Sequence, residues 1–199
     1  MNKLEATFEL FDNYNKQDPR TFVWSDVAYP QEYFFAIKLY DWVLQLDPNA
    51  SEELRLAARS QHIGRWEIPR ESYPEGREPY LKWRKDLASY HAAIASTLMM
   101  QAGYHDEQIG RVKQIVLKQR IKVDPDVQTM ENALCLVFLE FQYEEFQKKH
   151  EQDPEMLVNI LRRSLLKMDS HGHSFALKLT YSEAGLHLIK EALKQINNV

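Results

Sequence analysis

The chain has one cysteine, Cys135, in 199 residues. That excludes an intrachain disulfide framework and sets the expectation of a reducing, cytoplasmic compartment. Glycine is scarce, with six in all. They are too scattered for a phosphate-cradling loop or a nucleophile elbow. No apolar run approaches the length of a bilayer span, so no membrane role is expected. The first residues, MNKLEATFELFD, carry Glu5, Glu9 and Asp12 in their apolar phase, unlike a secretory leader. Excess positive charge is missing too. Lysine and arginine number 25 against 29 acids, for a net charge of −4. A long nucleic acid is therefore not an expected partner.

What is present suits a globular protein. Apolar residues are 44% and charged residues 27%, close to the soluble average. The periodicity is helical throughout, and no segment alternates as a strand does. The expected fold is all-α, a single compact helical domain over residues 1–199. Four Asp-Pro dipeptides punctuate it, at Asp18, Asp47, Asp124 and Asp153, each forbidding a helix to run through. Helices are expected over 1–17, 30–46, 51–62, 80–102, 106–119, 127–149, 154–168 and 182–197. The stretch 18–29 reads as a loop with an aromatic Phe22–Trp24 piece. Asp169–His173 reads as a helix break, in which His171 and His173 complement the preceding helix end.

One stretch concentrates unusual chemistry. Residues 59–91 read RSQHIGRWEIPRESYPEGREPYLKWRKDLASYH. Arginines 59, 65, 70, 77 and 84 alternate with Trp66, Tyr73, Tyr80, Trp83 and Tyr90, with His62 and His91 towards the ends. Three prolines and two glycines over 63–79 predict a long connection there. Its aromatic residues call for burial, so it is expected as an ordered loop over the surface.

Two sites follow. His62, His91 and Glu131 fall on three different expected helices, the way helical proteins bring imidazole and carboxylate to a divalent metal. Arg65, Arg70, Arg77, Arg84 and Lys118 form a candidate anion pocket, since guanidinium grips phosphate or carboxylate with paired hydrogen bonds. The competing reading of those arginines is structural, with Glu67, Glu71, Glu75 and Glu78 as partners. Cys135, on an apolar helix face, is expected to be inert. His62-Ile63-Gly64-Arg65 and Lys167-Met168-Asp169-Ser170 look like degraded signatures of class I aminoacyl-tRNA synthetases. Those signatures require a parallel nucleotide-binding sheet, which the helical pattern excludes.

The pieces ARSQHIGRWEIPRESYP, GREPYLKWRKDLASYH, QTMENALCLVFLE and LRRSLLKM resemble a bacterial and fungal family catalogued as domain of unknown function 4202. More distantly, His62, His91 and Glu131 or Asn132 resemble the ligand positions of HD-type metal phosphohydrolases, although Ala92 stands where the paired aspartate would fall. That resemblance implies an HD-like helical core with added N- and C-terminal helices. It also implies metal-assisted hydrolysis of a nucleotide or other small phosphate. The alternative expectation is a non-catalytic module that binds an anionic metabolite or partner through residues 59–84.

Overall fold

A computed structural model describes residues 2–197. The chain divides into two compact units, one ending at Gln119 and the other beginning at Arg120. Regular structure among the described residues is helical except for one hairpin. No helix in them is long and apolar enough to cross a membrane.

The first unit opens with α1 (Lys3–Asn15), whose N-terminus is closed by a reciprocal Asn2–Glu5 capping box, so two end N–H groups find acceptors. Next come β1 (Thr21–Trp24) and β2 (Val27–Pro30), antiparallel with Phe22 opposite Tyr29. This hairpin corrects the expected loop. Its turn residues Ser25 and Asp26 both have positive φ, 49° and 63°, the conformation of a tight hairpin turn, here without the usual glycine or asparagine cue. Phe22 pins the hairpin down, its ring 4.8 Å from both Phe34 and Phe35.

Those two phenylalanines belong to α2 (Gln31–Leu46), which buries Leu39, Trp42 and Val43 along one side. The next helix, α3 (Glu52–Ser60), is capped by Ser51, which accepts from the Leu54 N–H. It buries Leu54, Leu56, Ala57 and Ala58. After a connection come α4 (Arg77–Gln101) and α5 (Asp106–Val116). Each large apolar side chain buried here contributes about 1.5–3 kcal/mol.

The start of α4 is three residues earlier than expected. Pro79 lies in its first turn, where the missing N–H would have no intrahelical partner anyway. The buried side of α4 is Trp83, Leu87, His91, Ala92, Ala95 and Met99. The expected stripe through Arg84, Ala88 and Leu98 is thus rotated. Arg84 is exposed, and Ala88 and Leu98 are half-buried.

The second unit begins with α6 (Pro125–Phe141), capped by Asp124, and α7 (Tyr143–Lys149). The single helix expected over 127–149 is broken at Gln142. The break sets Tyr143 into the interior, where its hydroxyl donates to the Gly185 carbonyl at 3.0 Å. Three more helices follow: α8 (Pro154–Leu165), α9 (Ser170–Ala176) and α10 (Glu183–Asn197). The expected break at Asp169–His173 is instead the start of α9. Asp169 caps it by accepting from the Gly172 N–H, and Asn132 donates to the same carboxylate at 2.9 Å. Gly172 lies so close to Asn132 that a Cβ there would sit 2.7 Å from its amide. Leu157, Leu161, Leu165, Ile189 and Ala192 form the α8–α10 core.

Candidate anion-binding cleft

The connection between α3 and α4 is strapped down rather than loose. Gly64, with φ of 71°, makes the first turn. A Cβ there would meet Ile94 at 2.7 Å and crowd Tyr14 and Tyr90. Two short 3₁₀ turns follow, Arg65–Glu67 and Arg70–Ser72. Successive turns of α4 then hold the strap. The Trp83 indole N–H donates to the Ile68 carbonyl at 2.9 Å, and Tyr73 donates to Asp86 at 2.8 Å. Tyr90 donates to Glu67. Positions 83, 86 and 90 are spaced by three and four, so they share one helix face.

The neighbouring face of α4 carries Arg84, Ala88 and His91. With the ends of α3 and α5 it walls a cleft of about 430 Å³, within the size range of small-molecule sites. Gln61 and His62 come from the end of α3, and Arg65 from the first turn of the strap. Lys118 follows α5 in a left-handed conformation, with φ of 56°.

The two histidines are held neutral. His91 is 2% exposed, and its Nδ1 lies 2.6 Å from the Ile63 carbonyl oxygen. A carbonyl only accepts, so Nδ1 carries the proton and Nε2 keeps its lone pair. Burial lowers the His91 pKa to about 4; the Ile63 bond opposes this and Arg65 adds to it. The His62 ring lies 5.8 Å from that of His91. Its pKa is driven well below the usual imidazole value by desolvation, then by Arg65, His91, Lys118 and Arg84. Cations therefore dominate the local field.

Arg65 is oriented from behind. Its guanidinium lies over the Trp83 ring at 5.6 Å, and its Nε is 3.9 Å from Glu32. Glu32 is itself buried, which raises its pKa against the pull of Arg65 and Arg20. It accepts from Arg20 at 2.9 Å, and its backbone N–H donates to Asp18. Arg84 lies over Tyr80 at 5.9 Å.

The predicted arginines separate into different roles. Arg65, Arg84 and Lys118 line the cleft with His62 and His91. Arg70 is a staple of the connection, donating to the Tyr73 and Pro74 carbonyls, each at 2.9 Å. Arg77 is exposed at the start of α4. Glu131 is buried on α6 of the second unit. Among the described residues, no group of three or more histidine, cysteine, aspartate and glutamate side chains could hold a metal ion. Two imidazoles amid cations do not fit a divalent centre, which needs carboxylates to offset its charge.

Three contributors were missed by reading the sequence: Gln61, Lys85 and Glu32. Gln61 and Lys85 line the cleft. Helical phase could have found Lys85, four residues after Leu81 and three before Ala88, both of which line the cleft. Nothing local marks Glu32, whose role depends on burial beside Arg20 and Arg65.

Neither the curated proteins nor the solved structures contain a match to the chain. A family model described as Domain of unknown function (DUF4202) matches residues 5–189, nearly the full length, and the chain belongs to that family.

Proposed function

We propose that the cleft of the first unit binds a small, phosphate-bearing anion without metal chemistry. The observation that carries this reading is the gathering of Arg65, Arg84, Lys85 and Lys118 around one cleft. Arg65 and Arg84 supply the paired donors that suit phosphate oxygens, and the lysines add point charge. Desolvation is the main cause of the lowered His62 pKa, and the cations Arg65, Lys118 and Arg84 that add to it are the charges an anion would offset. Stacking of Arg65 on Trp83 holds one guanidinium in place before binding, which reduces the ordering cost on association.

The HD-type hydrolase reading would need oxygen ligands beside His62 and His91. The cleft surrounds them with Arg65, Arg84, Lys85 and Lys118 instead, a lining that does not suit a metal-activated water. A hydrolase also needs a base, and the Nδ1–H bond to Ile63 leaves the Nε2 of His91 as a lone pair that could serve.

The test is thermal stabilisation of the full chain by inorganic phosphate and simple phosphate monoesters, with and without a chelator. A ligand bound only by the folded state raises its stability. The expected result is a concentration-dependent rise in Tm that survives the chelator. A rise abolished by the chelator would restore the metal reading, and no rise at millimolar phosphate would reject the anion site.

A further inference from the structure

The cations account for only part of the cleft. Both α3 and α5 end at it, and helix ends leave carbonyl groups without intrahelical donors. Gln61 is 3% exposed. Its Nε2 donates to the Val116 carbonyl at 3.1 Å, while its buried Oε1 has no hydrogen-bond partner. His91 adds a second neutral acceptor. Its Nδ1–H is committed to Ile63, which leaves Nε2 as a lone pair. A buried acceptor with no donor, as Gln61 Oε1 is, costs about 1–3 kcal/mol. These groups carry no negative charge, so they call for neutral donors such as hydroxyls.

The aromatic residues point the same way. Trp83 is 7% exposed and its N–H is already given to Ile68. Tyr80 is 41% exposed, but Arg70 and Arg84 both lie over it, each at 5.9 Å. These rings hold guanidinium groups in place. They do not offer a flat slot for a base.

Resting on the anion-binding reading above, we propose that the ligand is a polyhydroxylated phosphate monoester of sugar-phosphate size, with its phosphate on Arg65 and Arg84 and its hydroxyls on Gln61 Oε1 and His91 Nε2. The cations set where the phosphate goes, and the neutral acceptors select what is attached to it. A phosphate ester without hydroxyls gives neither acceptor a donor. A site built to hydrogen-bond a hydroxyl discriminates strongly against analogues that lack it.

The experiment is calorimetric titration of the full chain with ribose 5-phosphate, glucose 6-phosphate, propyl phosphate and adenosine monophosphate. The expected result is that at least one sugar phosphate binds ten-fold or more tightly than propyl phosphate. Adenosine monophosphate should gain nothing from its base over ribose 5-phosphate. Equal affinity for propyl and sugar phosphates overturns the hydroxyl assignment and leaves the anion site standing. Failure of all four, and of inorganic phosphate as well, overturns the anion site itself. A clear gain from the adenine base also overturns the proposal. Substitution of His91 would change stability together with binding, so the second readout is the ring ¹⁵N spectrum of the unmodified chain. The Nδ1–H tautomer is expected, with the Nε2 resonance moving when sugar phosphate is added. An Nε2–H tautomer, or an Nε2 signal indifferent to ligand, contradicts the assignment.

Discussion

Each unit carries a cleft, and the two are nearly equal in size, about 430 Å³ in the first and 450 Å³ in the second. Their linings differ. The second lies along α8 and α10 and carries Glu155, Glu191 and His187 with apolar Val158 and Leu188. The first carries four cations, two imidazoles held neutral and Gln61, whose buried amide oxygen has no partner. In the second unit Asn132 and Asp169 answer each other. Asn132 donates to Asp169, and its oxygen accepts from the Gln128 side chain and the Asp169 N–H, although Gln128 Oε1 has no partner. Volume is thus a poor guide to a site. Convergent charge and unmet hydrogen-bonding capacity beside the space are better ones.

The largest effect should come from removing a guanidinium in the first cleft. Arg84→Ala takes away an exposed side chain, so the fold should hold. A charge-assisted hydrogen bond is worth roughly 1.5–3 kcal/mol. Phosphate affinity should therefore fall about ten- to hundred-fold by calorimetry, while Glu191→Gln in the second cleft changes it by less than about two-fold. Equal effects from the two substitutions would erase the distinction between the clefts.

Acid should separate the histidines from the surface. His91 is neutral in the folded chain with a pKa near 4, against an ordinary value of 6.5. Below pH 6.5 the unfolded chain takes up a proton that folded His91 refuses. Stability is therefore lost as pH falls from 6.5 towards 4, by about 3 kcal/mol from this residue. Denaturant unfolding at pH 7 and 4.5 measures it, and His91→Gln should flatten that part of the dependence. The same slope in both proteins would show that His91 is protonated in the fold.

Smaller effects test the second unit and the strap. Asn132→Ala should destabilise by about 1–3 kcal/mol by leaving buried partners unmet, with phosphate binding unchanged. Arg70→Ala removes two bonds to carbonyls and should cost about 1–2 kcal/mol. Limited proteolysis should then cut faster within 64–76, with ligand affinity altered far less than by Arg84→Ala.

Much of this architecture was readable from local chemistry. Asp47, Asp124 and Asp153, each before a proline, end or cap helices because proline constrains the residue before it. Ser51 and Asp124 cap as their side chains allow. The hairpin was not readable, because Ser25 and Asp26 take a positive-φ turn without glycine and the strands are only four residues each. The break at Gln142 was hidden for another reason, since Tyr143 is drawn in by a carbonyl 42 residues away. Arg65, Arg70 and Arg84 look alike in sequence. Their separation into cleft residues and staple depends on which carbonyls and rings the strap brings near, and that is set only by tertiary packing.

The most direct test of the central claim is a ¹H–¹⁵N titration of the full chain with inorganic phosphate, observing arginine Nε–H and histidine ring signals. The account predicts saturable shifts at Arg65, Arg84 and His62, with His187 in the second cleft still. Shifts that are absent, or that gather at His187 while Arg65 and Arg84 stay in place, would contradict it.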